Sequence, residues 1–152
     1  IKTSENQISI LTNNFFLTSR VINSSFPDYR QIIPKEFKTE VEVVKDDLVS
    51  TLKMSNIFSD KFNQITIKTL ESKDGFEIYA HNQEVGDNKT KIKAEVIGDD
   101  VLVNFNARYI NDSLSYFTGN KVKLCFNEKN RPLLILGSNN SSFKYLVMPV
   151  NR

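Results

Sequence analysis

Two parts of the chain repeat one order of predicted elements, and this duplication limits the fold more than any other feature. The first copy predicts a short opening strand, a helix and two strands: Val41–Val44, a helix from Asp46-Asp47 to about Phe58, Gln64–Leu70 and Phe76–His81. The second copy predicts a similar order with extra strand: Thr90–Ile97, Val101–Asn106, helix Ala107–Phe117, Val122–Phe126, Pro132–Gly137 and Phe143–Val150. Such a repeat predicts an α+β domain in which two helices pack on antiparallel sheet.

Glycine positions mark the ends of several of these elements. Lys73-Asp74-Gly75 joins two strands of the first copy, and Asp-Gly is a strong hairpin signal. Gly98-Asp99-Asp100 predicts a tight turn between the first two strands of the second copy. Gly119 is predicted to end the second helix in the C′ position.

Residues 1–25 predict strands that need a larger sheet. Ile8–Leu11, the turn-like Thr12-Asn13-Asn14 and Phe15–Ile22 form a hairpin pattern, and Ile1–Thr3 allows one more short strand. Because an isolated hairpin is marginally stable in water, we expect these strands to belong to a preceding domain. The missing initiator Met at Ile1 suggests a piece of a longer protein.

The segment Phe26–Pro34, with the sequence Phe-Pro-Asp-Tyr-Arg-Gln-Ile-Ile-Pro, predicts a stiff connector. Pro27 and Pro34 each fix their own φ, lack a backbone donor and bias the preceding residue toward extended geometry. Such a segment is neither a helix nor an interior strand, and its apolar side chains must pack elsewhere.

Composition excludes several classes of function. The 152 residues are 39% hydrophobic, which is enough for one domain core and a fragment of another. The formal net charge of +2 is too small for a protein that holds nucleic acid by bulk charge. There is no apolar run long enough to span a bilayer, so we expect no membrane partner. A single cysteine, Cys125, rules out an internal disulfide and suits the cytoplasm.

The residue content does not favour catalysis. One histidine, His81, and one cysteine exclude most catalytic triads and metal clusters. Asp46-Asp47 lies at a predicted helix start and Asp99-Asp100 beside a turn glycine, where backbone geometry favours such residues. We therefore expect no catalytic residue, no metal site and no cofactor.

The connector and the final strand, Tyr145-Leu146-Val147-Met148-Pro149-Val150, together resemble the last domain of the bacterial sliding clamp, the β subunit of DNA polymerase III. The resemblance implies a DNA-clamp domain at residues 30–152, preceded at residues 1–29 by the last strands of a middle domain and the connector. It also implies a non-catalytic cytoplasmic protein of DNA replication. In that family the full-length protein is a homodimer that closes head to tail around double-stranded DNA and tethers the polymerase for processivity.

The resemblance further implies a hydrophobic groove for a short peptide motif. The implied partners are the DNA polymerase III alpha subunit, the clamp loader and repair proteins that carry the clamp-binding motif. Carried over position by position, the groove would use ten residues: Pro27, Ile32, Phe62, Asn106, Tyr109, Leu146, Val147, Met148, Pro149 and Val150. Methionine offers a polarizable wall that adapts to several partners, and the prolines keep the pocket preformed.

The two predicted helices carry the remaining predicted sites. In the second, an apolar stripe at helical spacing predicts a core face made of Ala107, Ile110, Leu114 and Phe117. In the first, Met54, Ile57 and Phe58 project away from the core stripe of Leu48, Val49 and Leu52. The resemblance places Ile57 and Phe58 in the dimer interface. It also implies that the helices face DNA, so Lys53 and Arg108 are the candidate DNA-facing cations.

One alternative stays open from the residues alone. An unrelated β-rich protein-binding module of unknown partner, also non-enzymatic, would fit the same composition and the same strand pattern. It would leave the agreement of connector, duplicated pattern and tail as coincidence.

Overall fold

A single eight-stranded antiparallel arrangement carries both helices, and a separate three-stranded sheet precedes it. The computed structural model describes residues 1–138 and 143–150. Its first sheet is built from β1 (Lys2–Thr3), β2 (Gln7–Leu11) and β3 (Phe16–Arg20), and a 3₁₀ turn at Tyr29–Gln31 follows. The remaining elements are β4 (Thr39–Val44), α1 (Lys45–Ile57), β5 (Gln64–Thr69), β6 (Gly75–Asn82), β7 (Gly86–Gly98), β8 (Leu102–Asn106), α2 (Ala107–Leu114), β9 (Lys121–Phe126), β10 (Leu133–Gly137) and β11 (Lys144–Val147).

The two copies of the repeat are interleaved in the large sheet. Its strand order is β11-β10-β9-β4-β7-β6-β5-β8, and each neighbouring pair is antiparallel. The opening strand of the first copy, β4, pairs with β9 of the second copy. The sequence pattern assigned β7 to the second copy, but β7 pairs with β6 and is the last strand of the first copy. The opening strand of the second copy is therefore β8, which pairs with β5 of the first. Each copy therefore supplies a strand to the sheet of the other.

Strand alternation explains which face of the sheet meets the helices. In β4, Val41 and Val43 are buried in the core, while Glu40 and Glu42 point to the outer face. There Lys123 Nζ lies 2.8 Å from Glu40 and Lys121 Nζ lies 2.8 Å from Glu42. The hydrogen bond from Lys121 holds the pKa of the Glu42 carboxyl below its usual value. The outer face of this half is thus a polar ladder of cross-strand pairs.

Both helices bury one stripe against the inner face of the sheet. Leu48 and Leu52 of α1 and Ile110 and Leu114 of α2 are fully buried, together with strand residues such as Phe76. The predicted apolar stripe of the second helix is confirmed, because all four of its residues lie in the core cluster. The α+β prediction with two helices on antiparallel sheet is also confirmed.

The second helix is shorter than predicted. It ends at Leu114 with Ser115 as its C-cap, since Tyr116 N and Phe117 N bond to the carbonyls three residues back. These tighter bonds convert the predicted last turn into 3₁₀-type geometry. Gly119 has a left-handed φ of +96°, but it lies beyond this turn and is not the C′ residue of the helix.

Three further boundaries differ from the sequence patterns. The first helix begins at Lys45, and its N-cap is Val44. Asp46 and Asp47 therefore lie in the first turn, where their negative charges interact favourably with the helix dipole. β7 starts at Gly86 and not at Thr90. With β7 in the first copy, each copy has one strand before its helix and three after it. In the turn before β6, the residue with positive φ is Lys73, and not Gly75.

The small sheet leaves its apolar residues uncovered. β2 pairs with both β1 and β3, as the hairpin prediction requires. Phe16 and Leu17 of β3 are exposed, as are Leu11 and Ile22 nearby. A soluble three-stranded sheet normally covers one apolar face. The assignment of residues 1–29 to a preceding domain stays a prediction, and this exposure agrees with it.

Candidate functional site

The C-terminal tail connects the two outermost strands of the large sheet. β11 pairs with β10 up to Val147, and the chain then crosses to the opposite edge strand, β8. There Val150 N donates a hydrogen bond to Asn104 O at 2.8 Å. Met148 lies in the crossing segment, and its side chain is 59% exposed. The tail is therefore fixed at both ends and presents Met148 to solvent between them.

Asn106 ties three predicted groove positions together where β8 becomes α2. Its side-chain oxygen caps the helix by accepting hydrogen bonds from Arg108 N at 2.9 Å and from Tyr109 N at 3.3 Å. Its side-chain nitrogen donates to Phe62 O at 2.8 Å. Phe62 and Tyr109 are both exposed, so two aromatic side chains lie near the Asn106 amide. Asn106 is two residues along β8 from Asn104, whose carbonyl anchors the tail.

The end of the connector lies beside the start of β10. Ile32 and Pro132 line one open depression, together with Arg30 and Arg131. Leu133, the residue after Pro132, pairs with Val147, the residue before Met148. The depression thus lies at the start of β10, and the place of Ile32 in the groove stays a prediction.

The ten predicted groove residues differ in how the structure places them. Val147 is only 2% exposed and points into the core, so its side chain supports the tail from beneath and lines no open surface. Leu146, Pro149 and Val150 are half-buried along the tail. Pro27 is exposed, and its carbonyl accepts a hydrogen bond from Tyr29 N. Its place in the groove stays a prediction.

Sequence patterns missed two residues of this region. Asn104 anchors Val150 through its backbone and accepts a hydrogen bond from Thr66 Oγ1 at 2.8 Å. Pro132 lines a depression together with Ile32 and precedes Leu133, the strand partner of Val147. Both roles depend on which strands are neighbours, and no local pattern in the sequence specifies that.

A second exposed surface lies at the C-terminal end of α1. Ile57 is 65% and Met54 49% exposed, whereas Phe58 packs partly against the core. Asn82 Nδ2 donates to Ser59 O at 2.9 Å, which fixes this helix end on the hairpin of β6 and β7. Ile57 therefore fits the predicted interface role better than Phe58, and both assignments stay predictions.

The two predicted DNA-facing cations lie close together. Lys53 of α1 and Arg108 of α2 line one depression between the helices, along with Asn56, Asn63 and Asn111. Arg108 Nε is 3.6 Å from Asp112 Oδ2, and both side chains of this ion pair are largely exposed. Such a contact holds the guanidinium weakly and leaves it available to other anions.

The groups most suited to catalysis are not activated. Burial raises the pKa of the Cys125 thiol to about 12, so it is not a thiolate at neutral pH. Desolvation and the Asp87 carboxylate raise the pKa of Tyr79, whose phenol stays protonated. Within the described residues, no group of three His, Cys, Asp or Glu side chains could hold a metal ion. In the same part of the chain, neither helix is long and apolar enough to cross a bilayer.

Comparison with known families identifies the large sheet and its helices. The family model described as the C-terminal domain of the DNA polymerase III beta subunit matches residues 30–151. The chain belongs to the DNA polymerase III beta subunit family. The match starts inside the connector and takes in both helices and the tail, so of the predicted site residues only Pro27 lies outside it.

Individual relatives agree with this membership. The chain is 30% identical to the beta sliding clamp of Synechocystis sp. over 135 residues, which are 88% of this chain and 34% of that clamp. It is 29% identical over 150 residues to the beta sliding clamp of Streptococcus pneumoniae, covering 97% of this chain and 39% of that one. The chain therefore spans little more than a third of the length of these clamps.

Solved clamp structures share the fold. The Pseudomonas aeruginosa DNA polymerase sliding clamp superposes with a TM-score of 0.88 at 22% identity, over 99% of this chain and 41% of that one. The Thermotoga maritima DNA polymerase III beta subunit gives a TM-score of 0.86 at 24% identity, over 99% and 41%. The expected DNA-clamp fold is confirmed, and so is the resemblance on which it rested.

The cap at Asn106 provides a test of how this clamp domain holds its second helix. Asn106→Ala removes both the cap and the bond to Phe62 O, and we expect a loss of about 1–2 kcal/mol in the free energy of unfolding. Asn106→Asp keeps an acceptor at the cap and loses only the amide donor, so its loss should be smaller. Urea unfolding followed by circular dichroism measures both. An alanine variant as stable as wild type would contradict the capping role.

Proposed function

We propose that this chain is the C-terminal part of a bacterial sliding clamp. In this proposal the intact protein encircles double-stranded DNA as a head-to-tail homodimer and works in the cytoplasm as a non-catalytic processivity subunit. It tethers the DNA polymerase III alpha subunit and takes up the clamp loader and repair proteins through one peptide groove. Family membership supports the role of a clamp, and the surfaces of the chain support the finer assignments.

The observation that carries the groove is the exposed Met148 on a tail fixed at both ends. Because Val147 is locked in the core and Val150 is bonded to β8, the tail needs little ordering when a peptide binds. The thioether adapts to apolar side chains of different shape, which suits a site with several partners. Phe62 and Tyr109 add aromatic surface beside the capped Asn106.

The helix surface supports loose contact with duplex DNA. Lys53 and Arg108 place two cations at the depression between α1 and α2, in a chain whose formal charge is nearly balanced. Each phosphate that a protein neutralises strengthens binding and its salt dependence. A sparse set of exposed cations therefore permits a ring to travel along DNA without a strong barrier at each step.

The exposed end of α1 supports association with a second copy. Ile57 and Met54 are exposed on α1, whose Ser55 bonds to Asn88 of β7. Within the described residues, the segment 86–93 of β7 pairs only with β6. An exposed apolar cluster beside an unpaired strand edge is typical of an interface. In the proposed ring this surface meets the first domain of the other protomer.

A peptide titration tests the groove in the intact protein. We expect a fluorescent peptide of the Gln-x-x-Leu-Phe type to bind wild type and to bind Met148→Ala roughly tenfold more weakly, because truncation removes the exposed apolar wall. The matched control is Met54→Ala, since Met54 is the other methionine of the chain and is also exposed. Equal affinities in all three proteins, or no binding to wild type, would reject the groove.

A further inference from the structure

A surface with unpaired positive charge lies where the connector meets the start of β10. Two adjoining depressions share Arg30, Ile33, Pro34 and Lys35 as lining residues. The first continues along the loop between β9 and β10, and the second continues over β10 and β11. We call the two depressions together the connector face; the other charged side chains that line it are Lys38, Glu128, Arg131 and Lys144.

The connector face continues the side of the sheet that carries Leu146, one of the predicted groove residues. Ile135 of β10 and Val147 of β11 point into the core. Leu134, Leu136 and Leu146 therefore point to the outer face, because neighbouring residues of a strand alternate between faces. Leu134 is the direct strand partner of Leu146 and lines the connector face. A peptide that reaches Leu146 can thus continue along this face toward the connector.

The positive charge of the connector face is mostly unpaired. Lys38 has a carboxylate partner, since its Nζ lies 3.1 Å from Glu128 Oε1. Asp28 of the connector accepts hydrogen bonds from Arg30 N and Gln31 Nε2, both at 3.1 Å. The remaining cations of the face are exposed and take part in no ion pair among the residues that the structure describes: Arg30, Lys35, Arg131 and Lys144.

Hydrogen bonds fix the backbone on both sides of the connector face. Asn127 Nδ2 donates to Glu36 O at 3.0 Å, which ties the segment after the connector to the end of β9. Arg131 N donates to Glu128 O at 2.9 Å and closes the loop between β9 and β10. Because the backbone that carries the cations is already ordered, a ligand loses less free energy in ordering it on binding.

We propose that the connector face binds carboxylate side chains in the segment that flanks the clamp-binding motif of a partner protein. This inference rests on the proposed peptide groove and adds a charge preference to it. Arginine suits the role, because its guanidinium can hold a carboxylate through two parallel hydrogen bonds. A peptide flank can also contact the half-buried Phe37 and Leu136, whereas a phosphate backbone would use the cations alone.

Two fluorescent peptides with the same Gln-x-x-Leu-Phe core test the inference in the intact protein. One carries a pair of glutamates at each end and the other a pair of glutamines. In about 50 mM NaCl, wild type should bind the acidic peptide about tenfold more tightly, and this preference should fall below about twofold in about 500 mM NaCl as the charges are screened. Fluorescence anisotropy measures each Kd.

Charge reversal on the connector face should abolish the preference. Arg30→Glu/Arg131→Glu should bind the acidic peptide no more tightly than the neutral one. The control is Lys68→Glu/Lys93→Glu, which makes the same change in net charge at exposed residues of β5 and β7 and should keep the preference. If the reversal variant binds neither peptide, the milder Arg30→Gln/Arg131→Gln decides in its place.

The outcomes separate the inference from the proposed groove. If wild type binds neither peptide, the groove is rejected and the inference falls with it. If wild type binds both peptides equally at low salt, the groove stands and the acidic flank is wrong. A preference that persists in Arg30→Glu/Arg131→Glu would also overturn the inference, because another surface then recognises the charge. If that variant keeps the preference and binds duplex DNA more weakly, its cations belong to a nucleic-acid surface instead.

Discussion

Replacing Ile57 with lysine in the intact protein is expected to convert the dimer into monomers at micromolar concentration. Ile57 is among the most exposed apolar side chains of α1, the helix whose Ser55 bonds to Asn88 of β7. In a closed interface the new ammonium group would lose its water without gaining a partner. Loss of one such central contact corresponds to a rise of about 100-fold in dimer Kd. Sedimentation equilibrium measures it.

The matched control for this prediction is Ile97→Lys. Ile97 is 64% exposed, nearly the same fraction as Ile57, but it lies on the part of β7 that pairs with β4, opposite Glu40. We expect that variant to dimerise like wild type, because its surface is outside the proposed interface. A monomeric Ile97→Lys protein, or a dimeric Ile57→Lys protein with a normal unfolding transition, would remove the assignment of the α1 end.

Replacing Gly98 with alanine is expected to cost about 3 kcal/mol or more in the free energy of unfolding. Gly98 has φ of +114°, and a Cβ atom there would lie 2.0 Å from Lys38 O. That carbonyl also accepts a hydrogen bond from Asp99 N at 3.2 Å, and Thr39 Oγ1 donates to Asp99 O at 2.8 Å. The expected loss of stability therefore has two sources, the backbone strain of alanine at positive φ and the clash of its Cβ with a fixed carbonyl.

Gly119→Ala isolates the conformational part of that cost. Gly119 has φ of +96°, but a Cβ atom there meets no atom within 4 Å. We expect a loss of only about 1–2 kcal/mol, from the backbone strain alone. Chemical unfolding of both variants compares the two positions. Equal losses would show that the approach of Lys38 O contributes nothing, and that the turn relaxes around the methyl group.

The elements of this fold follow from local patterns, and their pairing does not. Alternation placed Val41 and Val43 on the inner face of β4, and the helical spacing of Ile110 and Leu114 gave the core face of α2. Both patterns report burial of single side chains, which is a local property. No such pattern specifies that β4 pairs with β9 and β8 with β5, because those contacts join distant parts of the chain.

The differences at element ends come from backbone hydrogen bonds that residue propensities do not report. The second helix stops early because its last amides bond three residues back, although the apolar stripe continues to the buried Phe117. β7 extends four residues beyond its predicted start because Asp87 and its neighbours pair with β6, a contact that outweighs their weak strand propensity. Propensity alone gives the wrong boundary in both cases.

The candidate sites were predictable only in part. The tail sequence resembles that of the clamp family, and this resemblance predicted the groove positions. The exposure of Met148 agrees with that role. The burial of Val147 follows from the pairing of β11 with β10, and the open edge of β7 follows from the topology of the whole sheet. A surface that depends on which strands are neighbours cannot be predicted before the strand order is known.

The exchange of β4 and β8 between the two copies of the repeat has a consequence for how the domain loses its structure. Cutting the chain after Gly98 would not leave half a fold, since the first fragment would lack the strand that borders β5 and the second would lack the strand that borders β9. Neither repeat can melt while the other persists. We expect residues 38–150 to unfold in one cooperative transition, and to refold slowly, because their decisive contacts join distant parts of the chain.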